Sequence, residues 1–203
     1  WGIALTSLLA GVPVGEDKEF TGNVFDLFSW YSVLGGVAFM ALFAWHGSVF
    51  VTLRTTGAMR ERAHHLSLRL APFSVMLTIA FLVATLWTGV DANDKGLVGG
   101  LVIIPLAVAA LLVAWFMAGR RREGVAFAST CVAIVLSVTL LFVALFPRVM
   151  VSSTDFAWSL TTSNASSSHY TLVFMTIVAL VMTPVVLLYQ GWTYYVFRAR
   201  LGQ

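Results

Sequence analysis

The chain has 203 residues, of which 59% are apolar and only 10% charged, against about 25% charged in an ordinary soluble domain. A soluble globule of this size shows too much surface to water to hide so many apolar side chains, and the mean hydropathy of +0.90 points the same way. Composition therefore excludes a soluble enzyme, a disordered chain and, with Cys131 as the one cysteine, an intrachain disulfide scaffold. The class left is all-α, a polytopic transmembrane helical bundle. The net charge of +3 is no nucleic-acid footprint, because the basic residues sit at the ends of apolar runs.

Residues 1–11, WGIALTSLLAG, lack a basic leader region and are too short to cross a membrane. They read as the tail of a preceding span that starts outside this sequence. A hydrocarbon core about 30 Å thick takes roughly 20 helical residues. Within 12–203, five full spans follow: 27–53, 70–90, 97–118, 125–146 and 170–197. These runs are too long and too continuous for barrel strands.

The connections set an orientation. Segment 54–69 carries Arg54, Arg60, Arg62 and Arg69 with Glu61, the next on that side carries Arg120, Arg121 and Arg122 with Glu123, and the chain ends with Arg198 and Arg200. On the other side lie Glu16, Asp17, Lys18, Glu19 and Asp26, then Asp91, Asp94 and Lys95, then Arg148 and Asp155. The positive-inside rule places the arginine-rich side and the C-terminus in the cytoplasm, and the alternation holds for all five spans. Segment 147–169, rich in Ser and Thr, is expected to form an ordered interfacial piece.

Ionisable groups inside a membrane are costly and usually functional. His46 is the one such residue well inside a span, about 12 Å from Arg54 at about 1.5 Å per residue. Two readings stand: a haem or metal ligand, quinone partner or proton relay, or a bundle-facing ring bonded to a carbonyl or hydroxyl. A relay or a metal site needs further groups that the spans do not supply, so no catalytic and no metal residue is assigned. His64 and His65, among arginines, read as part of a solvated loop. His169 reads as an interface residue, and Cys131 as a small packing residue. Tyr189 and Trp192 belong to an aromatic belt at the end of the last span, and with His46 they are the candidates for quinone or lipid contact. Ala110, Ala114 and Ala118, with Gly35-Gly36 and Gly99-Gly100, read as positions of close helix approach. Pro105 and Pro184 are placed to bend their helices.

Four stretches carry a likeness to a known family: VPVGEDKEFTG (12–22), WHGSVFVTLRTTGAMRERA (45–63), FPRVMVSSTDFAWSLTTSNASSSHYTL (146–172) and VMTPVVLLYQGWTYYVFR (181–198). Together with the span order, the chain resembles subunit II of cytochrome bd quinol oxidase, over that subunit's C-terminal half. The resemblance implies a non-haem membrane subunit of a respiratory quinol:oxygen oxidoreductase, multi-pass in the bacterial cytoplasmic membrane. It implies pairing with subunit I, which carries haem b, haem d and the quinol-oxidising loop. A bound quinone, membrane lipids and small single-span accessory subunits are the other expected partners. The family's subunit II proton-pathway acids lie mainly in the other half, so none is carried over. Two other classes remain open: a transporter or permease half, with a site on broken helices at mid-bilayer, or a purely structural assembly subunit.

Overall fold

The computed structural model describes residues 1–92 and 94–196, with the side chains of 89–98 excepted. Six helices dominate: α1 (Gly2–Ala10), α2 (Trp30–Arg54), α3 (Gly57–Ala92), α4 (Asp94–Gly119), α5 (Glu123–Leu145) and α6 (His169–Val196). Two short strands, β1 (Arg148–Met150) and β2 (Leu160–Thr161), pair antiparallel between α5 and α6. Five of the helices, α2 to α6, are long and apolar enough to cross a membrane.

Local chemistry sets the helix ends. Asn23 and Asp26 close a capping box on the turn Val24–Leu27, and Ser29 then caps α2 by accepting from the Ser32 N–H at 3.1 Å. Thr55 adopts an extended backbone and ends α2. Gly57 then takes φ 62°, a left-handed turn that a residue with a Cβ adopts only under strain, and α3 begins. Arg121 sits at φ 58° in the turn between α4 and α5, a strained backbone for a non-glycine residue.

α2 packs along α3, α4 packs along α5, and α1 lies against α2. Between apolar helices in lipid there is no hydrophobic push, so contact must come from close packing and interhelical hydrogen bonds. The buried residues show how. On α3 they include His64, Ser67, Ala71, Ser74, Thr78, Phe81 and Thr85. On α5 they include Glu123, Ala126, Thr130, Ala133, Ser137, Leu140 and Ala144. On α2 they include Tyr31, Gly35, Ala38, Leu42, Trp45, Val49 and Thr52. All three sets alternate steps of three and four, the seam of left-handed coiled-coil packing.

The seam residues are mostly small or hydroxyl-bearing. Some hydroxyls cross between helices: Tyr31 and Thr85 meet at 2.8 Å, Ser74 donates to the Ala41 carbonyl at 2.8 Å, and Thr6 donates to the Ser32 carbonyl at 3.2 Å. A Cβ on Gly35 would lie 2.9 Å from Thr6 Oγ1, and one on Gly36 would run into Ile3, so the glycine pair is what lets α1 settle on α2. Ala114 and Ala118 are buried on α4, as their spacing predicts. Pro105 and Pro184 both lie within continuous helices, as does Pro72.

Segment 147–168 is ordered, and it folds back on the N-terminal region. The Val12 N–H donates to the Val151 carbonyl, the Val151 N–H to the Leu8 carbonyl, and the Ser153 N–H to the Val12 carbonyl, each at 3.0 Å. Ser152 Oγ adds a bond to the Val14 carbonyl. α6 contrasts with the rest, because none of its residues is buried against the other described residues.

Two sequence expectations change. Segment 54–69 is helical from Gly57 onward rather than a loop, because its Arg, Glu and His side chains tolerate a helix and two of them tie it to the next helix pair. The helices that hold the second and third expected spans run beyond those bounds, α3 covering Gly57–Ala92 and α4 covering Asp94–Gly119. The expected loop residues Asp91, Asp94 and Lys95 are thus placed on helices. The expected side-chain roles of these three fall outside the described residues, as do Phe197, Arg198 and Arg200.

Candidate functional site

The densest group of polar side chains lies at the arginine-rich end of the bundle. The first turns of α3 bring Arg60 and Glu61 beside the turn that joins α4 to α5. Arg60 Nε donates to Glu123 Oε1 at 3.0 Å, and Nη2 reaches the same oxygen. Arg121 grips Glu61 with both guanidinium nitrogens, at 2.6 and 2.9 Å. The Glu61 carboxylate holds the Arg121 guanidinium above its ordinary range. The two pairs cross-link the start of α3 to the start of α5.

The pairs differ in environment. Arg121 and Glu61 are about half exposed, where solvent screens an ion pair and leaves it little net worth. Glu123 is 6% exposed, and a buried carboxylate needs its partner to offset lost hydration. Its place in the first turn of α5 adds the favourable end of the helix dipole. A small cavity of about 10 Å3 adjoins it, lined by Thr52, His64, Ser67 and Glu123 among others.

His64 is therefore not part of a solvated loop, as the sequence suggests. It is 6% exposed and lines this cavity, because α3 starts early enough to turn it inward. Its neighbour His65 points outward and is exposed, with the two rings 6.0 Å apart.

His46 is half-buried where α2 meets α5. Its Nδ1 lies 2.7 Å from Thr130 Oγ1, and that hydroxyl also donates to the Phe127 carbonyl at 2.8 Å. With the Thr130 proton on that carbonyl, the oxygen accepts from His46, and Nδ1 carries a proton. The ring stacks on Phe127 with centroids 4.6 Å apart, and Phe50 flanks Phe127 at 5.7 Å.

Comparison with known proteins adds the family. The model of the cytochrome bd terminal oxidase subunit II family matches residues 1–197. The chain belongs to that family. It is 37% identical over 206 residues to cytochrome bd ubiquinol oxidase subunit 2 of Bacillus subtilis, covering 99% of this chain and 59% of the relative. It is 29% identical to cytochrome bd-I ubiquinol oxidase subunit 2 of Escherichia coli strain K12, covering 98% of this chain and 61% of the relative. A probable cytochrome oxidase subunit 2 of Haemophilus influenzae is 28% identical over 96% of this chain and 60% of its own length. The chain thus spans about three fifths of the length of these curated relatives.

Within this subunit II chain, the three sequence candidates do not form one site. His46 belongs to the α2–α5 seam. Tyr189 and Trp192 stand exposed on α6, their rings 6.2 Å apart. Sequence reasoning missed Glu123 and His64 as buried groups. The available signal was the step of three and four from Glu123 through Ala126 and Thr130, which places Glu123 on the same face as the packing residues. Cys131, read as a packing residue, is partly buried and free.

Proposed function

We propose that this chain is a non-haem membrane subunit of a bd-type quinol:oxygen oxidoreductase, and that it pairs with and stabilises the haem-bearing subunit I. The family match over residues 1–197 carries this reading. The packing supports it. Helices α1 to α5 meet largely through small and hydroxyl side chains, packing suited to a scaffold.

Haem b and haem d belong to subunit I in this reading, where they supply the electron transfer. This chain's described residues do not fit a haem. The inward faces of α2 to α5 are packed helix to helix, with Trp45, Leu111, Ala114 and Ala133 wholly buried among them. What its residues do is hold shape: the Arg60–Glu123 and Arg121–Glu61 pairs lock α3 to α5, and His46 joins α2 to α5.

The arginine-rich end faces the cytoplasm of a bacterial cell, in its cytoplasmic membrane. A bound quinone and single-span accessory subunits complete the proposed assembly. Affinity purification through a tag on this chain tests the pairing. The expected result is a copurified partner whose reduced-minus-oxidised spectrum shows haem b and haem d bands. A pure, folded chain that never carries a haem protein contradicts the proposal.

A further inference from the structure

The outward face of α4 changes character at its arginine-rich end. Its inward face buries Leu111, Ala114 and Ala118. Leu112, Trp115, Phe116 and Gly119 fall about a third of a turn round the helix from that face, at steps of three, one and three. With Arg120 they line a groove of about 430 Å3. Leu112, Trp115 and Phe116 are all exposed. At Gly119 a Cβ would meet nothing within 4 Å, so the groove stays open there.

Arg120 stands at the mouth of this groove. Its guanidinium carbon lies 4.1 Å from the centre of the Phe116 ring, a cation–π contact that parks the charge over the apolar wall. Two cations near it are already paired. Arg60 is spent on Glu123 and Arg121 on Glu61. Among the described residues, no carboxylate lies within ion-pair distance of Arg120. A fixed guanidinium above an apolar groove has the chemistry of one kind of partner: an anion joined to a hydrocarbon chain.

We propose that this groove binds an anionic phospholipid, its phosphate on Arg120 and an acyl chain along Phe116, Trp115 and Leu112. The dimensions agree. Eight residues of helix separate Leu112 from Arg120, about 12 Å at about 1.5 Å per residue, which is within one leaflet's half of a roughly 30 Å hydrocarbon core. The guanidinium fork matches phosphate oxygens in pairs, which gives the headgroup a fixed position. A protein occupant would have to bring its own acid to Arg120, whereas the phospholipid carries phosphate and chain together.

Trp115 supplies the probe. The assembled membrane complex is reconstituted in vesicles that mix phosphatidylcholine with phosphatidylglycerol, with bromine on the acyl chains of one lipid at a time. The difference in fluorescence between the parent protein and its Trp115→Phe variant isolates the Trp115 signal. The expected result is stronger quenching by brominated phosphatidylglycerol, with a preference of roughly fivefold, the size one basic side chain confers near an anionic surface. Arg120→Gln should bring the preference to about one, Arg120→Lys should keep most of it, and Arg121→Gln should leave it unchanged. Equal quenching by both lipids overturns the proposal, as does a preference that survives Arg120→Gln. Absence of quenching by either lipid also overturns it, since the face is then covered by protein.

Discussion

Glu123 is the side chain whose burial most needs a partner, and Arg60 supplies it. Removing one member of a buried ion pair costs about 3–5 kcal/mol, and the partial exposure of Arg60, 28%, trims that figure. Glu123→Gln is expected to lose about 2 kcal/mol of stability, read as a lower midpoint in thermal unfolding of the purified protein. The double variant Arg60→Met, Glu123→Met should recover most of that loss, because no charge is then left unpaired. A double variant as unstable as the single one would show that charge is not the reason. His46 is predicted to act through packing, from its bond to Thr130 and its stack on Phe127. His46→Gln should leave turnover near normal once the complex has assembled. A large loss of turnover with intact haem spectra would contradict this. The residue scale is also where sequence reading falls short. His64 sits among arginines, and only its position on the early turns of α3 shows that it points inward.

The helices carry their inward faces in an unusual code. Each span is apolar all round, so hydrophobicity does not tell lipid from protein. What marks the inner face is small and hydroxyl residues at steps of three and four, from Ser67 to Thr85 on α3 and from Ala126 to Ala144 on α5. The existence of five apolar spans, and of the close approach at Gly35-Gly36, was legible because length and residue size report them directly. The pairing of helices was not, since it depends on which small-residue faces meet. The detachment of α6 from the bundle was equally hidden, because its apolar sequence resembles that of the buried helices. Ala133 gives the test at this scale. It is fully buried in the seam of α5, where added methyl groups typically cost about 1–3 kcal/mol. Ala133→Leu should lower the yield of assembled complex in detergent gel filtration. Val113→Leu on the exposed face of α4 should not.

For the whole molecule, charge and packing divide the labour. Arginines gather at one end, where two ion pairs lock helices together and Arg120 faces outward. The other end is closed by segment 147–168 folding onto residues 8–14. In a Cys131→Ser background, Met59→Cys should react with an impermeant thiol reagent only from the cytoplasmic side, and Phe156→Cys only from the opposite side. Reversed labelling would overturn the orientation. The central claim is that this subunit supports a redox partner without carrying redox chemistry itself. Reduced-minus-oxidised spectra of membranes from cells lacking the chain test it most directly. Loss of the haem d band and of quinol oxidation is expected, because the proposed haem-bearing partner would lack its support. Normal haem bands with normal quinol oxidation would contradict it.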